Sequence, residues 1–239
     1  MQKLVKSFFK QLGFDVKRYS IAQNQTARLL KIISDNNINL IFDVGANEGQ
    51  FGAELRELGY LGEIVSFEPL LDAYGKLCAA AQNDKLWMIA PRSAIGEQDG
   101  DIEINIAGNS ASSSILQMLD SHIDAAPTTA NIGVEIVPIR KLDSISSEYL
   151  KKKSNLFVKI DTQGYEDKVL NGGVHTMSQA KVIQLELSLV ELYSGQKLIV
   201  EMIEKIKSMG FELWGLEPAF IDSNTGRMLQ VDAIFCKLD

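Results

Sequence analysis

The chain has few of the residues that mark a covalent framework or a metal site. Cys78 and Cys236 are its two cysteines in 239 residues, each inside an apolar pattern. They read as reduced core residues rather than a disulfide framework or a thiolate cluster. Histidine is equally scarce, at His122 and His175. No His/Asp/Glu spacing resembles a ligand set, so no metal requirement is expected. No apolar run approaches the roughly 18 residues of a membrane span. Lysines at 3, 6 and 10 also interrupt the N-terminus too often for a signal-peptide core. A basic patch with interleaved aromatics is missing beyond the first twenty residues, which argues against nucleic acid as a partner. Together these absences point to a cytoplasmic setting.

What is present suits one large core. The chain is 46% hydrophobic, and its net charge of −7 is spread without a long acidic run. Residues 1–37 read as an N-terminal helical extension and 38–239 as the main domain. Within the extension Leu4, Val5, Phe8, Phe9 and Leu12 share one helical face, while Lys3, Lys6 and Lys10 share another, before Gly13. The favoured reading is that the apolar face packs on protein. The other is a weak peripheral contact of residues 1–13 with an anionic membrane.

Beyond the extension, helices and strands alternate. Ile21 to Asn36 is helical in pattern; strands follow at 40–44, 63–67 and 86–90, with helices near 48–58 and 70–81 between them. This is the first half of a doubly wound sheet. The second half places strands at 156–160, 182–187, 211–216 and 231–236, with helices at 165–171 and 197–208. The last two strands have only the Pro218 to Leu229 region between them, so they should pair antiparallel. Residues 100–138 break the rhythm with an inserted strand pair around the polar stretch "AGNSASSS". That excursion is either a lid or substrate wall, or an exposed linker.

The stretch "FDVGANEGQFG" at 42–52 is a strand, a tight turn and a helix start. Gly45 and Gly49 allow tight turning or close approach, and amides at a new helix N-terminus favour a negatively charged group. A dinucleotide turn would carry a second glycine where Asn47 stands, so a pyrophosphate fits poorly. Glu68 ends the next strand, where it can accept both hydroxyl protons of a ribose. Further on, Lys159 and Asp161 share one face of a strand, and Asp161 faces the same crevice as Gly45. The lysine needs a partner in this apolar setting, and Glu186 is the candidate. The trio is either a structural ion-pair network or part of a catalytic site.

Taken in order, "FDVGANEGQF", "SFEP", "SAIG", "LDSI", "VKIDTQGYEDKVLNGG" and "IQLEL" resemble the motifs of the FkbM family of S-adenosylmethionine-dependent methyltransferases, over roughly residues 38 to 190. The resemblance implies a class I methyltransferase (Rossmann-like) doubly wound α/β sheet of about seven strands with the last antiparallel. It also implies O-methylation of a sugar, glycan or polyketide-like natural product. Asp43 and Gly45 would then approach the methionine part of the cofactor, with Asn47 and Gly49 completing the turn. Glu68 would approach the ribose, and Ser93 and Ala94 the adenine edge. The family usually carries a glutamate where this chain has Gln163. A hydroxyl acceptor benefits from a general base, for which Asp161 and Glu166 are candidates. Of the two histidines, His122 in the excursion is the better one.

Three function classes follow: a methyltransferase, a nicotinamide-dependent oxidoreductase, and a non-catalytic S-adenosylmethionine-binding module. The oxidoreductase is opposed by Asn47. The non-catalytic module is favoured only by Gln163.

Overall fold

In the computed structural model, which describes residues 2–238 and the side chains of 5–238, the chain divides into two compact units, Met1–Asn37 and Ile38–Asp239. The first holds helices α1 (Gln2–Gln11) and α2 (Gln25–Asp35). Helix α2 begins at Gln25 rather than Ile21 because the Asn24 side chain accepts a hydrogen bond from the Ala27 amide and caps it there. Its Ala27, Leu29, Ile32 and Ile33 are buried. Val5, Phe8 and Phe9 of α1, and Leu12 just after it, are exposed.

The second unit starts with β1 (Leu40–Val44), α3 (Gln50–Glu57), β2 (Glu63–Phe67), α4 (Leu71–Ala81) and β3 (Trp87–Ile89). Next come β4 (Ala94–Gly96), β5 (Gly100–Ala107), α5 (Asp120–Ala125), β6 (Asn131–Lys141) and α6 (Leu142–Ile145). The remainder is β7 (Leu156–Ile160), α7 (Glu166–Gly172), α8 (Val174–Gln179), β8 (Ala180–Ser188), α9 (Ile199–Ser208), β9 (Phe211–Ile221) and β10 (Met228–Lys237).

Seven strands form one sheet in the order β3-β2-β1-β7-β8-β10-β9. The first five in that order run parallel, and β10 runs antiparallel to both β8 and β9. Both strands of this last hairpin reach further into the connection than their periodicity suggested, leaving residues 222–227 as the turn. Strand β1 is buried along its whole length, as is all of β7 except Lys159. Burial on both faces is why these strands read as apolar runs rather than alternations.

One polar row crosses this apolar sheet. Ser66 on β2, Asp43 on β1, Lys159 on β7 and Gln184 on β8 are register neighbours, so their side chains stand side by side on one face. A separate sheet, β4-β6-β5, holds the inserted segment. The β5–β6 pair matches the expected insertion. Strand β4, parallel to β6, and the short helix α5 were not anticipated. Three residues of strand and six of helix are too short to display a period. The serine-rich excursion is no loose linker, since Asn105 and Ser114 exchange backbone hydrogen bonds at 2.8 and 3.1 Å that fold it back along β5.

Candidate active site

The strand order reverses between β1 and β7, and a crevice outside the carboxyl ends of such strands is where doubly wound sheets bind ligands. A cleft lies there, with about 570 Å³ of empty space partly open to solvent. Its floor is the turn after β1 and its flanks are the ends of β2 and β7. The excursion from Ser110 to Ile115 forms its outer wall.

The turn is shaped by backbone proximity. Gly45 has φ +81°, and a Cβ there would stand 1.9 Å from the Asp161 carbonyl oxygen. No side chain fits between the two strand ends. The amides of Gly45 and Ala46 donate to the Phe67 carbonyl, each at 3.0 Å, and the Asn47 amide donates to Glu68 Oε2 at 2.8 Å. These amides are therefore engaged within the protein and are not offered to a pyrophosphate. Asn47 and Gln163, both lining the cleft, hold left-handed backbones with φ of 47° and 53°. That conformation is uncommon for residues other than glycine, and such strain concentrates at functional sites.

Glu68 is buried at the end of β2. Its Oε1 accepts from the Leu70 amide at 2.8 Å, so each carboxylate oxygen holds one backbone donor and keeps lone pairs for a ligand. Burial pushes its carboxyl up to about 7, against the two amides, which favour the anion. Ser93 and Ala94 line the same cleft beyond β3, the Ser93 hydroxyl donating to the Pro91 carbonyl at 3.1 Å.

Asp161 brings a partly exposed carboxylate into the cleft from the end of β7. Lys159 Nζ approaches its Oδ2 at 3.2 Å, and Gln163 Nε2 donates to its Oδ1 at 2.8 Å. The Lys159 partners are thus Asp161 and, at 3.7 Å, Asp43. Glu186 is not its ion-pair partner, contrary to expectation. It accepts instead from Gln163 Nε2 at 2.7 Å and Gln230 Nε2 at 2.8 Å. Burial works against the Lys159 charge, but Asp161, Asp43 and Asp232 outweigh it and hold the ammonium above its usual range. Burial raises Glu186 well above the usual carboxylate range, reinforced by Asp161 and Asp232.

Four of the residues expected to bind the cofactor or act in catalysis lie outside this lining. Asp43 is fully buried behind the turn, and its oxygens have no hydrogen-bond partner among the described residues. Gly49 caps α3 with φ +92°, and a Cβ there would press on Leu77 at 2.9 Å and on Trp87 at 3.2 Å, so its left-handed backbone and the helix packing explain this glycine. Glu166 is buried at the start of α7. Its Oε1 accepts from the Thr162 and Gly164 amides at 2.9 and 3.1 Å, which staples the turn carrying Gln163. His122 is buried against the rings of Tyr193 and Phe220, each centred 5.2 Å away, and burial lowers it to about 4. It is a neutral core residue and does not reach the cleft.

Other residues of the site carried no signal that periodicity could pick up. Ser110 donates to Asn47 Oδ1 at 3.0 Å and Ser114 to the Gln163 carbonyl at 2.7 Å. Tyr193 Oη stands 2.8 Å from the Ser112 carbonyl and 2.9 Å from Gln163 Oε1. The polar composition of "AGNSASSS" indicated an excursion, but only the fold reveals which strand ends it covers.

A seven-stranded sheet with an antiparallel last strand, and a cleft at the reversal between β1 and β7, define a class I methyltransferase fold. The family model for the methyltransferase FkbM domain matches residues 43–213, and the chain belongs to that family. It is 25% identical over 191 residues, 77% of either chain, to the 2-O-methyltransferase NoeI of Sinorhizobium fredii (strain NBRC 101917 / NGR234). Among solved structures it is similar to WbdD, at 12% identity and a TM-score of 0.50 over 90% of this chain and 40% of that one. It is also similar to magnesium protoporphyrin IX methyltransferase from Synechocystis PCC 6803, at 11% identity and a TM-score of 0.47 over 99% and 96% of the two chains.

Family membership overturns the nicotinamide-dependent alternative: the protein is an S-adenosylmethionine-dependent methyltransferase. The cleft fits that cofactor. Its turn amides are already engaged, which suits a ligand without phosphate, and Glu68 and Asp161 supply negative charge for a cationic ligand. Among the described residues no group of acidic, histidine and cysteine side chains is arranged to hold a metal ion, and no helix is long and apolar enough to cross a membrane.

Proposed function

We propose that this chain transfers a methyl group to a hydroxyl oxygen of a sugar, glycan or polyketide-like acceptor. Bound in the cleft, S-adenosylmethionine supplies a methyl group on a sulfonium, a leaving group that departs as a neutral thioether. Glu68 is proposed to accept hydrogen bonds from the ribose hydroxyls, and the Ser93–Ala94 segment to border the adenine. The backbone at Gly45 and Asn47 is proposed to line the methionine end.

The observation that carries the oxygen assignment is Asp161. Its carboxylate faces the cleft at the switch point, and the Gln163 amide at 2.8 Å and the Lys159 ammonium at 3.2 Å fix its direction. An acceptor hydroxyl beside it loses its proton to that carboxylate as the oxygen takes the methyl, and the proton then passes to water. General-base assistance of this kind contributes typically ~100- to 10,000-fold. The similarity to NoeI, a 2-O-methyltransferase, supports the same reading.

The test is a panel of hydroxylated acceptors incubated with methyl-labelled cofactor, products being identified by mass spectrometry. Label on a carbohydrate or polyketide hydroxyl is expected, with Asp161→Asn slowing transfer about 100-fold or more and changing cofactor affinity much less. Label on nitrogen or carbon would refute the oxygen assignment. Transfer that survives Asp161→Asn while the melting temperature drops would make the Asp161 cluster structural.

A further inference from the structure

Helix α1 lies outside the region matched by the methyltransferase family and is not used by the proposed chemistry. Its described apolar side chains are exposed, Val5 at 45%, Phe8 at 59% and Phe9 at 37%, and they are followed by Leu12 at 56% and Phe14 at 64%. Residues 5, 8, 9 and 12 fall on one face at helical spacing, and Lys6 and Lys10 lie away from it, also exposed. The Phe8 and Phe9 rings meet edge to face at 5.7 Å, forming one aromatic patch.

Charge decides what covers this face. The first eighteen residues contain Lys3, Lys6, Lys10, Lys17 and Arg18 against the single acid Asp15, a local charge of +4 in a chain of net −7. A second copy would bring one +4 segment against another, which is repulsive. An anionic surface is attracted to this segment and repelled by the acidic remainder. A short helix with aromatics on one face and lysines on the other is built to lie in the headgroup region.

We propose that residues 2–14 dock this protein onto an anionic lipid surface, with Phe8, Phe9, Leu12 and Phe14 entering the acyl boundary and Lys6 and Lys10 meeting headgroup phosphates. The docking is independent of the methyl-transfer reading. Each basic residue near such a surface contributes about a fivefold gain in partitioning, and salt screens that attraction.

The experiment is co-sedimentation of the full chain with phosphatidylcholine vesicles, with and without phosphatidylglycerol. Wild type should pellet with the phosphatidylglycerol vesicles, stay in solution with phosphatidylcholine alone, and be released by raised salt. Lys6→Glu with Lys10→Glu should lower partitioning at least ~25-fold, and Phe8→Ser with Phe9→Ser should abolish it, both variants keeping native cofactor affinity. Wild type that stays in solution with anionic vesicles overturns the proposal, as does charge-reversed protein that pellets as well as wild type. So does a lipid-free dimer that the Phe8 and Phe9 substitutions dissociate, because the face would then be a contact between copies. If those substitutions lower the melting temperature, the charge-reversed pair alone decides.

Discussion

Gly45 and Gly49 look alike in the sequence, both within one turn and both with positive φ, yet they meet different surroundings. At Gly45 a Cβ would overlap the Asp161 carbonyl at 1.9 Å, backbone against backbone, so any side chain drives the ends of β1 and β7 apart. At Gly49 the nearest atom is the Leu77 methyl at 2.9 Å, which can shift. Gly49→Ala should therefore cost stability of about 1–2 kcal/mol, mostly from the left-handed backbone, and leave cofactor affinity near native. Gly45→Ala should remove measurable cofactor binding. Melting curves paired with calorimetry on both variants check this, and a larger affinity loss at Gly49 would contradict it. Gly45, Asn47, Glu68 and Asp161 were legible as neighbours of one crevice because each ends, or closely follows, a strand whose apolar run is plain. The burial of Asp43 and His122 was not legible, because nothing local in the sequence says which side chains a distant aromatic or lysine will cover.

Among the elements, the serine-rich excursion gains most from the fold. Its composition suited a lid and a linker equally, and the choice is made by Tyr193, which is 81 residues from the Ser112 carbonyl it reaches. A contact at that separation leaves no trace in periodicity. Tyr193→Phe keeps the buried ring but leaves the Ser112 carbonyl and Gln163 Oε1 without that hydroxyl. Unpaired buried polar groups cost about 1–3 kcal/mol, so the variant should melt lower, and amides of residues 110–115 should exchange faster with deuterium. Unchanged exchange there would mean that the clasp between Tyr193 and the excursion does not hold the wall. The strand pattern was easier to read: parallel strands covered on both faces give apolar runs of a length that only a strand explains. Strand β4 was missed because three residues show no period.

For the whole molecule, buried carboxylates set the response to pH. Burial raises Glu68 and Glu166 to about 7 and also raises Asp43, Glu186 and Asp232. A carboxyl whose folded value exceeds its unfolded one binds more protons when folded, so stability is full below the unfolded value and is lost as pH rises through the folded value. Each of the two groups near 7 can account for up to about 3 kcal/mol over that window. The ligand-free protein should therefore melt higher at pH 6 than at pH 8. A higher melting temperature at pH 8 would mean that these carboxylates are charged and well solvated in the native state. On the proposed placement cofactor binding has the opposite sign, since the ribose hydroxyls would donate to the Glu68 anion. The most direct measurement of the cleft assignment is thus a calorimetric titration with S-adenosylmethionine at pH 6 and pH 8, on wild type and on Glu68→Gln. Wild type should bind more tightly at pH 8, and the substitution should weaken binding there at least roughly tenfold, the worth of a charge-assisted hydrogen bond, and flatten the pH dependence. Equal affinity in the two proteins at pH 8 would contradict the placement of the cofactor against Glu68.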